Sequence, residues 1–158
     1  MKRIAALFAF LLIFALTSAA FGAGSVTQKL DKYPFANMRV LTFSWTGDAA
    51  NGTVPSTATS TAIVTDIAGW YVYAIETNPG TGPPTDNYDI VVNDVEGLDI
   101  AGGMLANRST TATQKITPRL DSTYSIFGGV IIDGALTLVI TNQAVVSATG
   151  TVKLLLSK

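Results

Sequence analysis

Apolar and polar positions alternate along much of this chain from residue 37 onward, a period that sends successive side chains to opposite faces of a strand. Arg39, Leu41, Phe43 and Trp45 share one parity against Met38, Val40, Thr42 and Ser44, which predicts a first strand with an aromatic end. Residues 47–52 are dense in turn formers, and Pro55 bars further strand pairing, so a loop follows. The β-branched run 57–66, with Ile63 and Ile67 on one parity and Val64 on the other, predicts a second strand that closes at Ala68-Gly69. Residues 70–77 predict a third. There Trp70, Val72 and Ala74 oppose Tyr71, Tyr73 and Ile75, and two apolar parities imply a strand covered on both sides.

Asn78-Pro79-Gly80 and Gly82-Pro83-Pro84 make a stiff loop before a half-buried strand in which Tyr88, Ile90 and Val92 alternate with Asp89, Val91 and Asn93. Residues 93–97 supply a hairpin turn, with Gly97 where a positive φ is needed, and residues 98–100 begin the return. A long irregular connection fills 101–113, and 114–117 and 123–127 read as short strands. Asp133-Gly134 between apolar runs is a hairpin signal, with Leu136, Leu138 and Ile140 on the core face of the return strand. After a turn over 142–148 the chain closes with Val152, Leu154 and Leu156 inward and Lys153 outward. No stretch beyond residue 22 sustains a helical period free of Gly or β-branched runs. The expected fold is all-β, a β-sandwich or jelly roll of about eight short antiparallel strands preceded by a signal-peptide helix.

That leading segment has its own pattern. Met1-Lys2-Arg3 is a positive start, residues 4–16 are uninterruptedly apolar, and 17–23 are mostly small, which together read as a secretory signal cut after Gly22. An uncleaved anchor is the competing reading, and it would be the chain's one membrane contact. The domain organisation is therefore 1–22 signal peptide, 23–37 an extended N-terminal arm and 38–158 the β-sandwich domain. Tyr33-Pro34 opposes a helix through the arm, because proline holds the residue before it extended. Export places the protein in the periplasm, outside the cell, or on a virion or cell surface.

Composition removes chemistry. With no His and no Cys, the chain lacks the commonest general base, the thiol nucleophile and any disulfide, so the fold relies on its own core and no enzyme is expected. A net charge of −1 gives no electrostatic basis for nucleic-acid binding. Gly102-Gly103 lacks the Lys-Ser/Thr ending of a phosphate loop. Asp86, Asp89, Asp94, Glu96 and Asp99 cluster, and Asp94, Glu96 and Asp99 are the candidate calcium ligands because hard cations want grouped oxygens. Their spacing does not match an EF-hand loop, and Asx-capped turns along a solvated edge explain them without a metal. Trp70, Tyr71 and Tyr73 are the candidate partner-binding residues, since aromatic side chains combine large area with polar tips. Sugar stacking on them, together with Trp45, is the alternative use.

Three motifs carry a resemblance: Pro79-Gly80-x-Gly82-x-Pro84-Thr85-x-Asn87-Tyr88-Asp89-Ile90, then Asn93-Asp94-x-x-Gly97-x-Asp99-Ile100-x-Gly102-Gly103, then Asp133-Gly134-x-Leu136-Thr137-Leu138. On these the chain resembles small β-sandwich proteins of tailed bacteriophages and prophages over most of residues 38–156. The resemblance implies a virion structural or decoration protein, one copy in a symmetric assembly, and the secretion signal departs from that pattern. The functional expectation is a non-enzymatic structural or interaction protein that forms a homo-oligomer or larger assembly. The alternatives are a secreted carbohydrate-binding module that takes a glycan, and an extracellular fibre subunit assembled by strand addition.

Overall fold

A computed structural model describes residues 22–158 as an antiparallel all-β protein with one short α-helix. The strands are β1 (Ser25–Tyr33), β2 (Met38–Thr46), β3 (Thr57–Ala58), β4 (Tyr71–Pro79), β5 (Asp89–Asn93), β6 (Gln114–Ile116), β7 (Arg119–Asp121), β8 (Ile126–Phe127), β9 (Val130–Ile131), β10 (Thr137–Thr141) and β11 (Thr149–Ser157). Helix α1 (Thr61–Ile67) sits between β3 and β4, and a 3-10 turn (Pro34–Ala36) joins β1 to β2. A six-stranded sheet runs β1-β2-β11-β4, with β6 and β9 both on the far edge of β4. A three-stranded sheet runs β3-β10-β5, and β7 pairs with β8.

The last strand of the chain is thus the middle of the larger sheet. Val152, Leu154 and Leu156 of β11 are fully buried, flanked in register by Phe43, Leu41 and Arg39 of β2 and by Thr77, Ile75 and Val72 of β4. Ile90 and Val92 of β5 and Leu138 and Ile140 of β10 join the same core cluster, so the inner faces of both sheets feed one core. Each such aliphatic side chain stabilises the fold by about 1.5–3 kcal/mol relative to exposure. Trp45 is the largest fully buried side chain, tilted against Tyr88 with ring centroids 5.8 Å apart. Its cross-strand partner is Gly150, where a Cβ would come within 2.6 Å of the indole. The missing side chain is what lets the ring lie across the central strand.

The strand at 38–46, the loop at 47–52 and the closing strand fall where alternation puts them. So does the turn after β5: Asp94 accepts from the Glu96 and Leu98 amides at 2.9 and 2.8 Å, and Gly97 has φ of 83°. Three expectations are corrected. The run 57–66 is mostly helix α1, not strand: the Ser60 hydroxyl caps the Ile63 amide, and Ile63 and Ile67, four apart, face the core from one side of the helix. The segment 23–37 is extended but does not stand outside the domain as an arm, because residues 25–33 pair with β2 along their whole length. Asp133-Gly134 does not close a hairpin; β9 pairs with β4 and β10 with β3 and β5, so the dipeptide carries the chain from one sheet to the other. The apolar segment 4–16 read as a signal or anchor lies outside the described residues.

Candidate functional site

The registers of β1, β2, β11 and β4 arrange the outer face of the six-stranded sheet in rows. At one end lie hydroxyls and one amide, Ser25, Thr46 and Thr149, then Thr27, Ser44, Thr151 and the amide of Asn78. A charged row follows, Lys29, Thr42, Lys153, Glu76 and Lys115, in which Lys153 Nζ meets Glu76 Oε1 at 3.2 Å. The far rows are apolar and aromatic: Val40, Leu155 and Ala74 beside Asp31, then Tyr33, Met38, Ser157, Tyr71 and Ile131. Tyr33 is 47% exposed, Tyr71 46%, Tyr73 36% and Ile131 53%. Beyond them the β1–β2 turn carries Phe35, fully exposed.

A β-bulge builds this end. Leu155 pairs with Ala74 and Leu156 with Val72, which leaves Tyr73 as the additional residue of β4. Strict alternation would turn Ile75 outward with Tyr71 and Tyr73. The extra residue resets the phase, so Val72 and Ile75 face the core while Tyr71, Tyr73 and Ala74 share the outer face. Of the two covers expected for β4, a core on one face and an inter-subunit or inter-domain contact on the other, the chain itself supplies the first, and among the described residues its tyrosine side is open. Tyr73 leans across β11, its hydroxyl 3.4 Å from Met38 Sδ, which joins the strands into one surface. A depression of about 310 Å³ lies alongside, lined by residues including Tyr33, Val40, Leu155, Glu76 and Lys153.

Trp70 does not belong to that surface. It is 7% exposed, and the Arg39 guanidinium stacks 4.2 Å from its ring centroid, with the Lys158 ammonium at 6.0 Å. Arg39 and Lys32 also converge on Asp66 of α1, at 3.7 and 2.7 Å, and the Lys32 hydrogen bond holds the Asp66 carboxyl below its ordinary pKa. Trp45 is buried as well, so neither indole offers a face for stacking a sugar.

Three of the five acidic residues hold turns and loops by accepting hydrogen bonds. Asp99 accepts from the Ala101 and Gly103 amides at 3.0 and 2.7 Å, Asp94 caps its own turn, and Asp89 accepts from the Asn107 amide at 2.8 Å and the Asn142 side chain at 2.6 Å. Among the described residues no three His, Cys, Asp or Glu side chains group as metal ligands, so the structure does not assemble Asp94, Glu96 and Asp99 into a site. No described helix is long and apolar enough to cross a membrane.

Two buried polar groups escaped the sequence reading. Gln143 donates to the Gly52 and Val145 carbonyls at 2.7 and 2.8 Å and accepts from the Thr85 and Val145 amides at 3.0 Å each, tying three loops together. A lone Gln between Asn and Ala in a turn carries no signal of this. Arg108 is buried beside Tyr88, its bridge partner, and chelates the Ala106 carbonyl at 3.1 and 3.3 Å. Burial pushes the Tyr88 phenol up to about 12 and lowers the Arg108 guanidinium. Comparison with family models, curated proteins and solved structures finds no match for this chain.

Proposed function

We propose that this chain is an exported, non-enzymatic structural protein, a β-sandwich that self-assembles by packing the tyrosine end of its larger sheet against a second copy. The sandwich reading rests on the shared core, to which Leu41, Phe43, Val152 and Leu154 contribute from one sheet and Ile90, Val92 and Leu138 from the other. The observation that carries the function is the open row of Tyr33, Tyr71, Tyr73 and Ile131. At their exposures, Tyr33, Phe35, Tyr71 and Tyr73 alone present roughly 350–600 Å², given about 150–250 Å² per aromatic side chain. With Met38, Val40, Leu155 and Ile131 around them, the surface approaches the ~800 Å² that each partner commits to a specific interface. Tyrosine suits this use because it gives area with little rotamer entropy and a hydroxyl that tolerates water when unpaired.

Light scattering on the exported protein tests the reading. We expect an oligomer that the Tyr71→Glu/Tyr73→Glu double variant shifts to smaller species, weakening association at least tenfold, because a charge is desolvated in each interface. A monomeric protein whose binding to glycans is lost in Tyr71→Ala would overturn assembly and favour a carbohydrate-binding surface built on the two tyrosines. A virion component is the form of this assembly that the phage motifs suggest. Its signature would be co-purification with particles.

A further inference from the structure

Among the described residues the two larger sheets protect their edges in every place but one, and the separate β7–β8 pair, three and two residues long, is too short to offer one. On the far side of β4 the edge consists of β6 and β9, three and two residues long. The outer edge of β5 is closed by residues 100–108: the Ile90 amide donates to the Leu105 carbonyl at 3.0 Å, and the Arg108 and Ile100 amides donate to the Tyr88 and Val92 carbonyls at 2.7 and 2.9 Å. The short β3 is clasped by the Gln28 amide group, which donates to the Ala58 carbonyl at 2.7 Å and accepts from the Ser60 amide at 3.0 Å. Short strands, covering loops and side-chain clamps are the usual ways of stopping edge-to-edge pairing.

β1 has none of them. It is nine residues long, pairs with β2 in unbroken register, contains no proline, and has no strand on its other side among the described residues. Its backbone therefore offers a run of donors and acceptors to an added strand. Both of its exposed cations are paired within the chain, Lys29 Nζ 2.8 Å from Asp31 Oδ1 on the same face of the strand and Lys32 Nζ 2.7 Å from Asp66 Oδ1 of α1.

We infer that this edge docks a second copy of the chain, β1 adding antiparallel to β1 about a two-fold axis through Leu30, to make one continuous sheet from both copies. The axis position follows from charge and face. Residues directly opposite in an antiparallel pair share a face, so an axis must pass through a residue, and each choice sets the cross-strand pairs. An axis at Lys29 opposes Lys29 to itself, and one at Asp31 opposes two carboxylates, both unfavourable. The axis at Leu30 is the one that places each Lys29 opposite Asp31 of the second copy, twice by symmetry, with Leu30 against Leu30 on the core-facing side. The inference stands on the edge and does not require the tyrosine face; were both contacts made, an edge dimer joined through its faces would extend into a larger assembly.

The absence of cysteine from the chain makes the register directly testable. Across the axis, Leu30 and its counterpart would have Cα atoms about 4.5–5.5 Å apart, inside the roughly 4.4–6.8 Å that a disulfide spans. In the full-length gene product, as its host yields it, Leu30→Cys should oxidise to a covalent dimer. Thr27→Cys should not, its counterpart being roughly 20 Å away. In sedimentation velocity, Lys29→Asp or Asp31→Lys alone should weaken the dimer roughly ten- to thirtyfold, and the two together should restore it. The charge swaps carry the test if Leu30→Cys does not fold. An unaltered chain that sediments as a monomer, equal cross-linking of Thr27→Cys, or no recovery in the double swap would overturn the inference. Repeating the cross-link in the Tyr71→Glu/Tyr73→Glu background separates the surfaces: a disulfide that persists while larger species vanish keeps the edge contact apart from the face contact.

Discussion

Gln143 shows how much one side chain can hold when its neighbours are loops. Its amide satisfies backbone groups from 47–55, 80–87 and 142–148 while 7% exposed, so removing it takes the side-chain partner from the Gly52 carbonyl and from the Thr85 and Val145 amides. Gln143→Ala is expected to cost about 2–4 kcal/mol, read as a lowered midpoint in urea unfolding with an unchanged slope. Tyr88 behaves differently. Its hydroxyl makes no hydrogen bond to protein among the described residues, so Tyr88→Phe should change stability at neutral pH by less than about 1 kcal/mol. Its pKa is raised by burial from 10.0 to about 12, which favours the neutral folded phenol. That stabilisation is complete below the unfolded value and is lost as pH rises through the folded one. Between pH 10 and about 12 the parent should lose up to roughly 3 kcal/mol that Tyr88→Phe keeps, measurable by denaturant unfolding at each pH. Neither role could be read from sequence, because both depend on what surrounds the side chain and not on its spacing.

At the scale of elements, α1 is the clearest case of tertiary context overruling local preference. Thr61–Ile67 is rich in β-branched residues and would be a marginal helix alone. It forms because Ser60 caps it, Ile67 is buried, and Asp66 binds Lys32 of β1 and Arg39 of β2. The Asp66 carboxyl is lowered chiefly by the Lys32 hydrogen bond. Its contribution is present above the ordinary carboxylate range and disappears as pH falls through the lowered folded value. Asp66→Asn should therefore flatten the acid limb of the thermal melting curve against pH while lowering the melting temperature slightly at neutral pH. The four-residue spacing of Ile63 and Ile67 fitted strand parity and helix face equally, so alternation could not decide between them. The bulge at Tyr73 was hidden for a related reason: nothing in Trp70-Tyr71-Val72-Tyr73-Ala74-Ile75 announces where an extra residue will slip the phase.

For the whole molecule, β1 changes from an appendage to a structural strand. Val26 and Leu30 pack against the core, Gln28 clasps β3, and Lys32 holds α1. Deleting residues 23–37 should therefore give a chain that fails to fold, visible as a lost cooperative melt and lost near-ultraviolet dichroism, where a detachable arm would leave both intact.

The sequence by itself determined the class of fold, the parity of β2, β5, β10 and β11, the turns at 47–52 and 93–97, and the absence of histidine and thiol chemistry. All of these depend on neighbours in the chain, and alternation or turn chemistry reports them directly. The tertiary structure alone decided which strands pair, that Asp133-Gly134 crosses between sheets, and that Trp70 is enclosed under Arg39 while Tyr71 and Tyr73 stay open. Period-2 alternation tells a strand which of its faces is apolar. It does not say what will lie beside the strand or across from it, because those neighbours come from distant parts of the chain.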